Sequence, residues 1–358
     1  MKPIQTDDLY DFDIVIVGAG FFGLTLAYEL STKSNNRVLV LDKREHTGGN
    51  AYSYTDPSTN IEIHKYGSHL FHTSNKQVWA FVNQFSEFNS YIHQVKTLYE
   101  NQVYSMPINL HTMSQFVGQY LGPEEARKWI EKEKQSVIGN PKNLEEQAIK
   151  LVGRSLYSAL IEGYTKKQWS TNPVDLPAEI ISRLPVRYNF NDRYFSDLYE
   201  GVPTLGYGNL FNNLKNAGNF ELQLSTDFSP LNCDVSKIRK LIYTGPIDRY
   251  FSYQYGVLGW RTLDFEEERI EINDFQGTSV MNYADEKVPF TRIHEFKHLH
   301  PERNQSDSST IIFKEYSRFA TEDDEPYYPI NTEGDRVTLS KYRDLIKGET
   351  NVLSLIHI

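Results

Sequence analysis

The most regular apolar pattern lies near the N-terminus. Asp13-Ile-Val-Ile-Val17 predicts a short buried strand, Gly18-Ala-Gly20-Phe-Phe-Gly23 a tight turn, and Leu24 to Leu30 the helix that follows. Arg37-Val-Leu-Val-Leu-Asp42 predicts a second buried strand ending on a carboxylate. Residues 11 to about 75 therefore predict βα units. Asn75 to Asn89 predicts a helix, and Lys96 to Met106 alternates as a short hairpin that stops at Pro107. From about Thr112 to Trp169 the period becomes helical. Leu121-Gly-Pro-Glu-Glu-Ala-Arg opens one helix with proline and acids in its first turn, and Leu144 to Tyr157 repeats apolar residues at three-to-four spacing. From about Glu221 strands are predicted: 221–225, 240–244, 277–281, 291–299 and 310–316. The acid-rich stretch Leu263 to Glu271 reads as a solvated face. There are no repeats and no low-complexity segment.

Composition narrows this picture. The 358 residues suffice for two domains, and 39% hydrophobic with 23% charged residues describes a globular chain. A net charge of −10 argues against nucleic acid as the main partner but allows a local arginine pocket for phosphate. Cys233 is the only cysteine, so an intrachain disulfide and a cysteine metal site are excluded. No apolar signal core opens the chain, and Ile14 to Tyr28 is too short and glycine-broken to span a membrane, so a cytoplasmic location is expected. Aromatic residues reach 13%, a surplus that serves sugar or base sites as well as ordinary packing.

The glycine turn carries the first candidate chemistry. Gly18 permits the turn, Gly20 lets backbone approach a pyrophosphate, and Gly23 lets helix pack on strand. Asp42 falls about 20 residues beyond, where a ribose hydroxyl is expected. Thr47-Gly48-Gly49-Asn50 adds a second glycine turn. Flavoproteins of the two-dinucleotide-binding-domain type carry such a turn, so the resemblance favours FAD over NAD, with Gly49 and Asn50 beside it. His69 and His72 stand at i, i+3, a spacing open to metal, but no third ligand is evident and no metal is expected. His294, His298 and His300 are expected to share one face of a strand, in packing and hydrogen bonds. No Ser-His-Asp order and no carboxylate pair stands out.

Several longer strings resemble the UDP-galactopyranose mutase family of prokaryotic type. They are Gly67-Ser-His-Leu-Phe-His-Thr73, Glu162-Gly-Tyr-Thr-Lys-Lys-Gln-Trp169, Ile180-Ile-Ser-Arg-Leu-Pro-Val-Arg187, Tyr194-Phe-Ser-Asp-Leu-Tyr-Glu-Gly201, Thr244-Gly-Pro-Ile-Asp248, Met281-Asn-Tyr-Ala-Asp285, Val288-Pro-Phe-Thr-Arg292 and Asp324-Glu-Pro-Tyr-Tyr-Pro329. The resemblance runs from about residue 12 to about residue 352. It implies an α/β protein: a Rossmann-like FAD-binding domain (1–90, 207–250 and 336–358), an inserted helical substrate-binding domain (111–190), and a six-stranded antiparallel β-sheet domain (91–110, 191–206 and 251–335). It implies a redox-neutral ring contraction of UDP-galactopyranose to UDP-galactofuranose, in which N5 of reduced FAD attacks the anomeric carbon, in a homodimer. Arg183 and Arg292 would flank the diphosphate as catalytic cations. Tyr164 and Trp169 would hold uracil, with Trp169 on a mobile loop, and Thr165 would bind substrate. Tyr194, Tyr328 and Asn282 would complete the substrate pocket, and His69 and His72 would lie against the flavin as catalytic residues.

The family pattern continues beyond Val352 into a Gly-Gly-Arg turn and a helix, whereas Leu353-Ser-Leu-Ile-His-Ile358 matches none of it. A truncated chain with weakened flavin binding is the expectation. Two alternatives stay open: a flavin-dependent oxidoreductase with an apolar substrate pocket, and an inactive truncated UDP-sugar binder.

Overall fold

The structure is a computed structural model that describes residues 6–134, 139–182 and 184–354. In chain order it begins with β1 (Ile14–Val17), α1 (Phe21–Lys33), β2 (Val38–Leu41), β3 (Ser53–Thr55), β4 (Glu62–His64), β5 (Phe71–Thr73) and α2 (Lys76–Val82). A hairpin of β6 (Val95–Tyr99) and β7 (Gln102–Met106) leads into α3 (Leu110–Val117), α4 (Pro123–Glu133), α5 (Leu144–Val152), α6 (Arg154–Leu156) and α7 (Gly163–Trp169). Then come β8 (Tyr199–Gly201), α8 (Gly206–Ala217), β9 (Glu221–Gln223), β10 (Leu241–Tyr243) and α9 (Ile247–Tyr250). The last elements are β11 (Trp260–Ile270), β12 (Val280–Tyr283), β13 (Arg292–Glu295), β14 (Thr310–Phe319), β15 (Tyr328–Pro329), α10 (Glu333–Ile346) and β16 (Val352–Ser354).

The apolar runs at β1 and β2 form the middle of a five-stranded parallel sheet, ordered β16-β10-β1-β2-β9. All four residues of β2 are buried, as a strand covered on both faces requires. Leu24, Ala27, Leu210, Phe211 and Leu214 of α1 and α8 cover one face. Leu9, Tyr250, Tyr342 and Ile346 cover the other.

The second sheet has seven strands, ordered β15-β11-β14-β13-β12-β6-β7. It differs from the six antiparallel strands expected, because β12 runs parallel to β6. The segment 191–206, also expected in it, contributes β8 to a separate ribbon with β5. Leu263 to Glu271 is mostly strand: β11 pairs with β14 along ten registered residues. Its acids do reach solvent, because alternate side chains of a strand leave by opposite faces. Asp264, Glu266 and Glu268 meet Arg318 and Lys314 there.

Three other expectations differ. The helix at Asn75 covers only Lys76–Val82, with Asn75 capping Gln77 N and Val78 N. The strand at Thr291 ends at Glu295, and Phe296–Leu299 is a 3-10 turn. His294, His298 and His300 therefore do not share a face: they pair with Glu315, Asp274 and Glu302 respectively.

The helical block has its own core of Ile108, Met113, Ala126, Ile130, Leu144, Ala148, Ile149, Val152, Leu156 and Tyr157. A π-helical stretch, Tyr157–Glu162, carries the chain directly from α6 into α7. Lys167 docks α7 against the second sheet. Its Nζ donates to the carbonyls of Tyr283, Asp285 and Phe290 at 2.6, 2.9 and 3.0 Å. Burial pushes this amine down to about 8. Among the described residues, no helix is long and apolar enough to cross a membrane.

Candidate active site

A cavity of about 260 Å³ opens at the C-terminal ends of β1, β2 and β10, where open α/β sheets bind their ligands. Gly18, Gly20, Asp42, Gly49, Asn50, Thr244 and Gly245 line it. The N-terminus of α1 is open: Gly20 makes no side-chain cap and the first turn holds no acid, so its amides stay available to an anion. Across the gap stands the Gly49 backbone, 3.8 Å from where a Gly20 Cβ would sit. Asp42 is 8% exposed. It accepts from Ala19 N at 2.6 Å and from Arg44 N at 2.8 Å, one bond per carboxylate oxygen. Each oxygen keeps a second lone pair for a hydroxyl. Asn50 Oδ1 accepts from Arg44 Nη2 at 2.7 Å. This cradle fits a dinucleotide pyrophosphate and its ribose.

The second set of groups lies on the inner face of the seven-stranded sheet. Strand alternation and register bring Asn282, Arg292, His294, Glu315 and Arg261 to that face: Asn282 is the cross-strand partner of Arg292, and Arg292 of Glu315. Arg292 Nη2 donates to Tyr164 OH on α7, and Arg292 Nε lies 3.3 Å from Glu315 Oε1. Burial opposes the guanidinium charge, but Glu315, Tyr164 and Tyr328 together outweigh it and raise the Arg292 pKa. Burial alone would raise the Glu315 carboxyl; Arg292, His294 and Thr291 instead hold it at about 2. Burial pushes the Tyr164 hydroxyl up to about 12, so it stays protonated at neutral pH. Asn282 Oδ1 is buried with no hydrogen-bond partner among the described residues.

Around this pair, Tyr194 and Tyr328 are partly exposed, and the Arg292 charge acts on the Tyr328 hydroxyl. Thr165 is buried in α7. Trp169 is the last residue of that helix and packs on the helical core, rather than riding on a loop. The turn comes one residue later, at Ser170 with φ 48°. Arg183 lies outside the described residues. His69 is largely enclosed, and its Nδ1 lies 2.9 Å from Gly67 O, which requires Nδ1–H and leaves Nε2 as an acceptor. His72 is more exposed; it stacks on Phe195 at 3.6 Å and pairs with Asp197 at 2.7 Å. His69 and His72 thus have separate partners.

Sequence reasoning missed three residues of this region. Glu315 neutralises Arg292. His93 packs edge-on against Tyr194 at 5.3 Å, and burial, then Arg292, lowers it to about 3. Arg261 is fully buried with no carboxylate partner among the described residues. It donates to Gln168 O and to the Ser170 and Ser317 hydroxyls, while Nη1 has no hydrogen-bond partner among the described residues. An arginine on the alternation opposite Asp264, Glu266 and Glu268 was the available signal.

The Glu315 pair has a consequence in acid. A carboxyl held near 2 in the fold against 4.5 in the open chain stabilises the protein above about pH 4.5, and that stabilisation fades as pH falls toward 2. The expected loss is on the order of 3 kcal/mol, read as the urea midpoint against pH. Glu315→Gln should flatten that stretch of the curve; an unchanged slope would remove Glu315 from the account.

These features define a class: a Rossmann-type dinucleotide-binding protein whose second sheet carries a cationic pocket. Residues 16–85 match the sequence profile of the NAD(P)-binding Rossmann-like domain, and residues 159–356 that of UDP-galactopyranose mutase. A probable UDP-galactopyranose mutase of Klebsiella pneumoniae is 43% identical over 95% of this chain and 87% of its own length. A dTDP-fucopyranose mutase of Escherichia coli is 40% identical over 95% of this chain and 90% of its own. A crystal structure of reduced UDP-galactopyranose mutase shares the fold, with a TM-score of 0.71 at 15% identity, covering 95% of this chain and 87% of the other. The chain belongs to the UDP-galactopyranose mutase family.

Proposed function

We propose that this protein interconverts UDP-galactopyranose and UDP-galactofuranose with bound FAD in its reduced form. The observation that carries the reading is Arg292. It is a charged guanidinium set between Glu315 and Tyr164, with Asn282 as the cross-strand residue. Such a pocket suits a diphosphate, since a planar fork matches two phosphate oxygens. Arg183, carried over from the family resemblance, is the second cation.

FAD would lie with its pyrophosphate at Gly18–Gly23 and its ribose on Asp42, and when reduced it would supply the nucleophile at the sugar. The chain's own groups bind and orient. Arg292, Tyr194 and Tyr328 hold the diphosphate as it leaves and returns. Tyr164, Thr165 and Trp169 enclose the base. His69 offers Nε2 as an acceptor, and His72 borders the cofactor. A leaving group held by fixed cations needs no proton from a carboxylic acid, which suits a pocket whose one identified carboxylate, Glu315, is ionised.

Ring contraction is measured by chromatography with and without dithionite. Turnover of UDP-galactopyranose only under reduction is expected; equal turnover in both states would reject the reduced-flavin reading. Consumption of an electron acceptor would favour the oxidoreductase. A parallel arm with dTDP-fucopyranose is warranted by the E. coli relative: faster turnover there would reassign the substrate and keep the chemistry.

A further inference from the structure

His294 and Glu315 are 2% and 3% exposed, yet neither has been given a part in the reaction. Together they form a line with an ion pair at one end and hydrogen bonds along the rest. Arg292 Nε lies in an ion pair 3.3 Å from Glu315 Oε1, and that oxygen accepts from Thr291 Oγ1 at 2.9 Å. Glu315 Oε2 accepts from His294 Nε2 at 3.0 Å. A carboxylate at Nε2 fixes the tautomer, so Nδ1 is the acceptor for Ser68 Oγ at 2.8 Å. Ser68 lies between Gly67, whose carbonyl holds the His69 ring, and His69 itself, whose backbone N donates to His64 Nδ1 at 3.1 Å. The loop 65–70 leads into β5, and Phe71 packs on Phe21, the first residue of α1 at the glycine turn, at 5.9 Å. One end of the line is the cationic pocket. The other is the loop beside the nucleotide cleft.

We propose that Glu315 and His294 are positioning residues that couple occupancy of the Arg292 pocket to the geometry of the Gly67–His69 loop. The inference rests on the proposed function for what occupies each end. One carboxylate is divided between a guanidinium and an imidazole. Arg292 Nε lacks a well-directed bond, so this contact is the loose one. An arriving diphosphate competes with Glu315 for the same guanidinium. The carboxylate released from it draws harder on His294 Nε2–H, and an imidazole more strongly polarised at Nε2 is a better acceptor at Nδ1 for Ser68. The loop is thereby tightened only when the pocket is filled. The coupling is reciprocal: if the diphosphate alters the flavin site, the flavin's redox state alters diphosphate affinity by the same factor.

UDP is the probe, and the flavin reduction potential of the holoprotein is the readout. UDP is expected to bind the two redox forms with affinities at least tenfold apart, a shift of about 30 mV for a two-electron couple. Ser68→Ala, which cuts only the loop end, should keep flavin and UDP binding while losing more than half of that shift. Glu315→Gln should raise the KM for the sugar nucleotide at least tenfold and abolish the shift. A merely structural pair would lower the melting temperature and leave the shift intact. If Glu315→Gln does not fold, Ser68→Ala decides alone. No UDP-induced shift in the wild type, or a full shift in Ser68→Ala, overturns the coupling. Failure to bind flavin or UDP at all would instead overturn the proposed function.

Discussion

Replacing Arg292 by alanine is expected to lower kcat/KM at least a hundredfold and to destabilise the fold. Two effects add. The diphosphate loses charge-assisted hydrogen bonds worth about 1.5–3 kcal/mol each. The Glu315 carboxylate, 3% exposed, loses its counter-charge, and an orphaned buried ion of this kind costs about 3–5 kcal/mol. The two are separable. Arg292→Lys keeps the charge and should recover most of the stability, but only part of the activity, because an ammonium cannot span two phosphate oxygens as a fork does. Pairing Arg292→Met with Glu315→Gln removes both charges, which should restore the urea midpoint and leave turnover at the alanine level. Flavin content should hold throughout, since Arg292 does not line the nucleotide cavity. Wild-type kinetics in Arg292→Ala would take this residue out of the site and with it the observation on which the proposed function stands.

What could be read from the sequence follows from the range over which each signal acts. The strand, turn, helix and acid from Asp13 to Asp42 are local, and the structure forms them as β1, α1 and β2 around Asp42. The α7 string was legible for the same reason, although its end was not: Trp169 and Ser170 differ by one backbone conformation that their residue types do not dictate. Glu315 was out of reach. Its partner is 23 residues away on another strand, and Ile311-Ile-Phe-Lys-Glu-Tyr316 does not alternate, so the inward residue is decided by register with β13. Arg261 was hidden by its neighbours. Acids on the solvent face of β11 dominate the composition of the stretch, and a window average erases the opposite face. The single parallel pairing of β12 with β6 joins strands almost two hundred residues apart, and no local pattern encodes it.

Methylating the glycine turn at two positions should separate cofactor binding from folding. A Cβ on Gly23 would collide with the backbone carbonyl of Gly18, which is held in the turn by Gly18 N donating to Leu41 O at 2.7 Å. Neither backbone can yield without tilting α1 off β1. Such overpacking costs about 1–3 kcal/mol, and the displaced amides lose their aim on the phosphates. Gly23→Ala should therefore purify with little flavin and a lower melting temperature. Gly20→Ala should behave differently. Its Cβ would meet only the Gly49 backbone, at 3.8 Å, which is ordinary contact, so the apoprotein should melt at the wild-type temperature. The methyl would occupy the gap between Gly20 and Gly49 that a pyrophosphate must enter. Flavin affinity should fall by one to two decades, about 1.4–2.8 kcal/mol, scored as the ratio of flavin to protein absorbance after gel filtration. Stoichiometric flavin in Gly20→Ala would mean that the cofactor does not lie between these two glycines, and the cleft would lose its assignment while Arg292 kept its own.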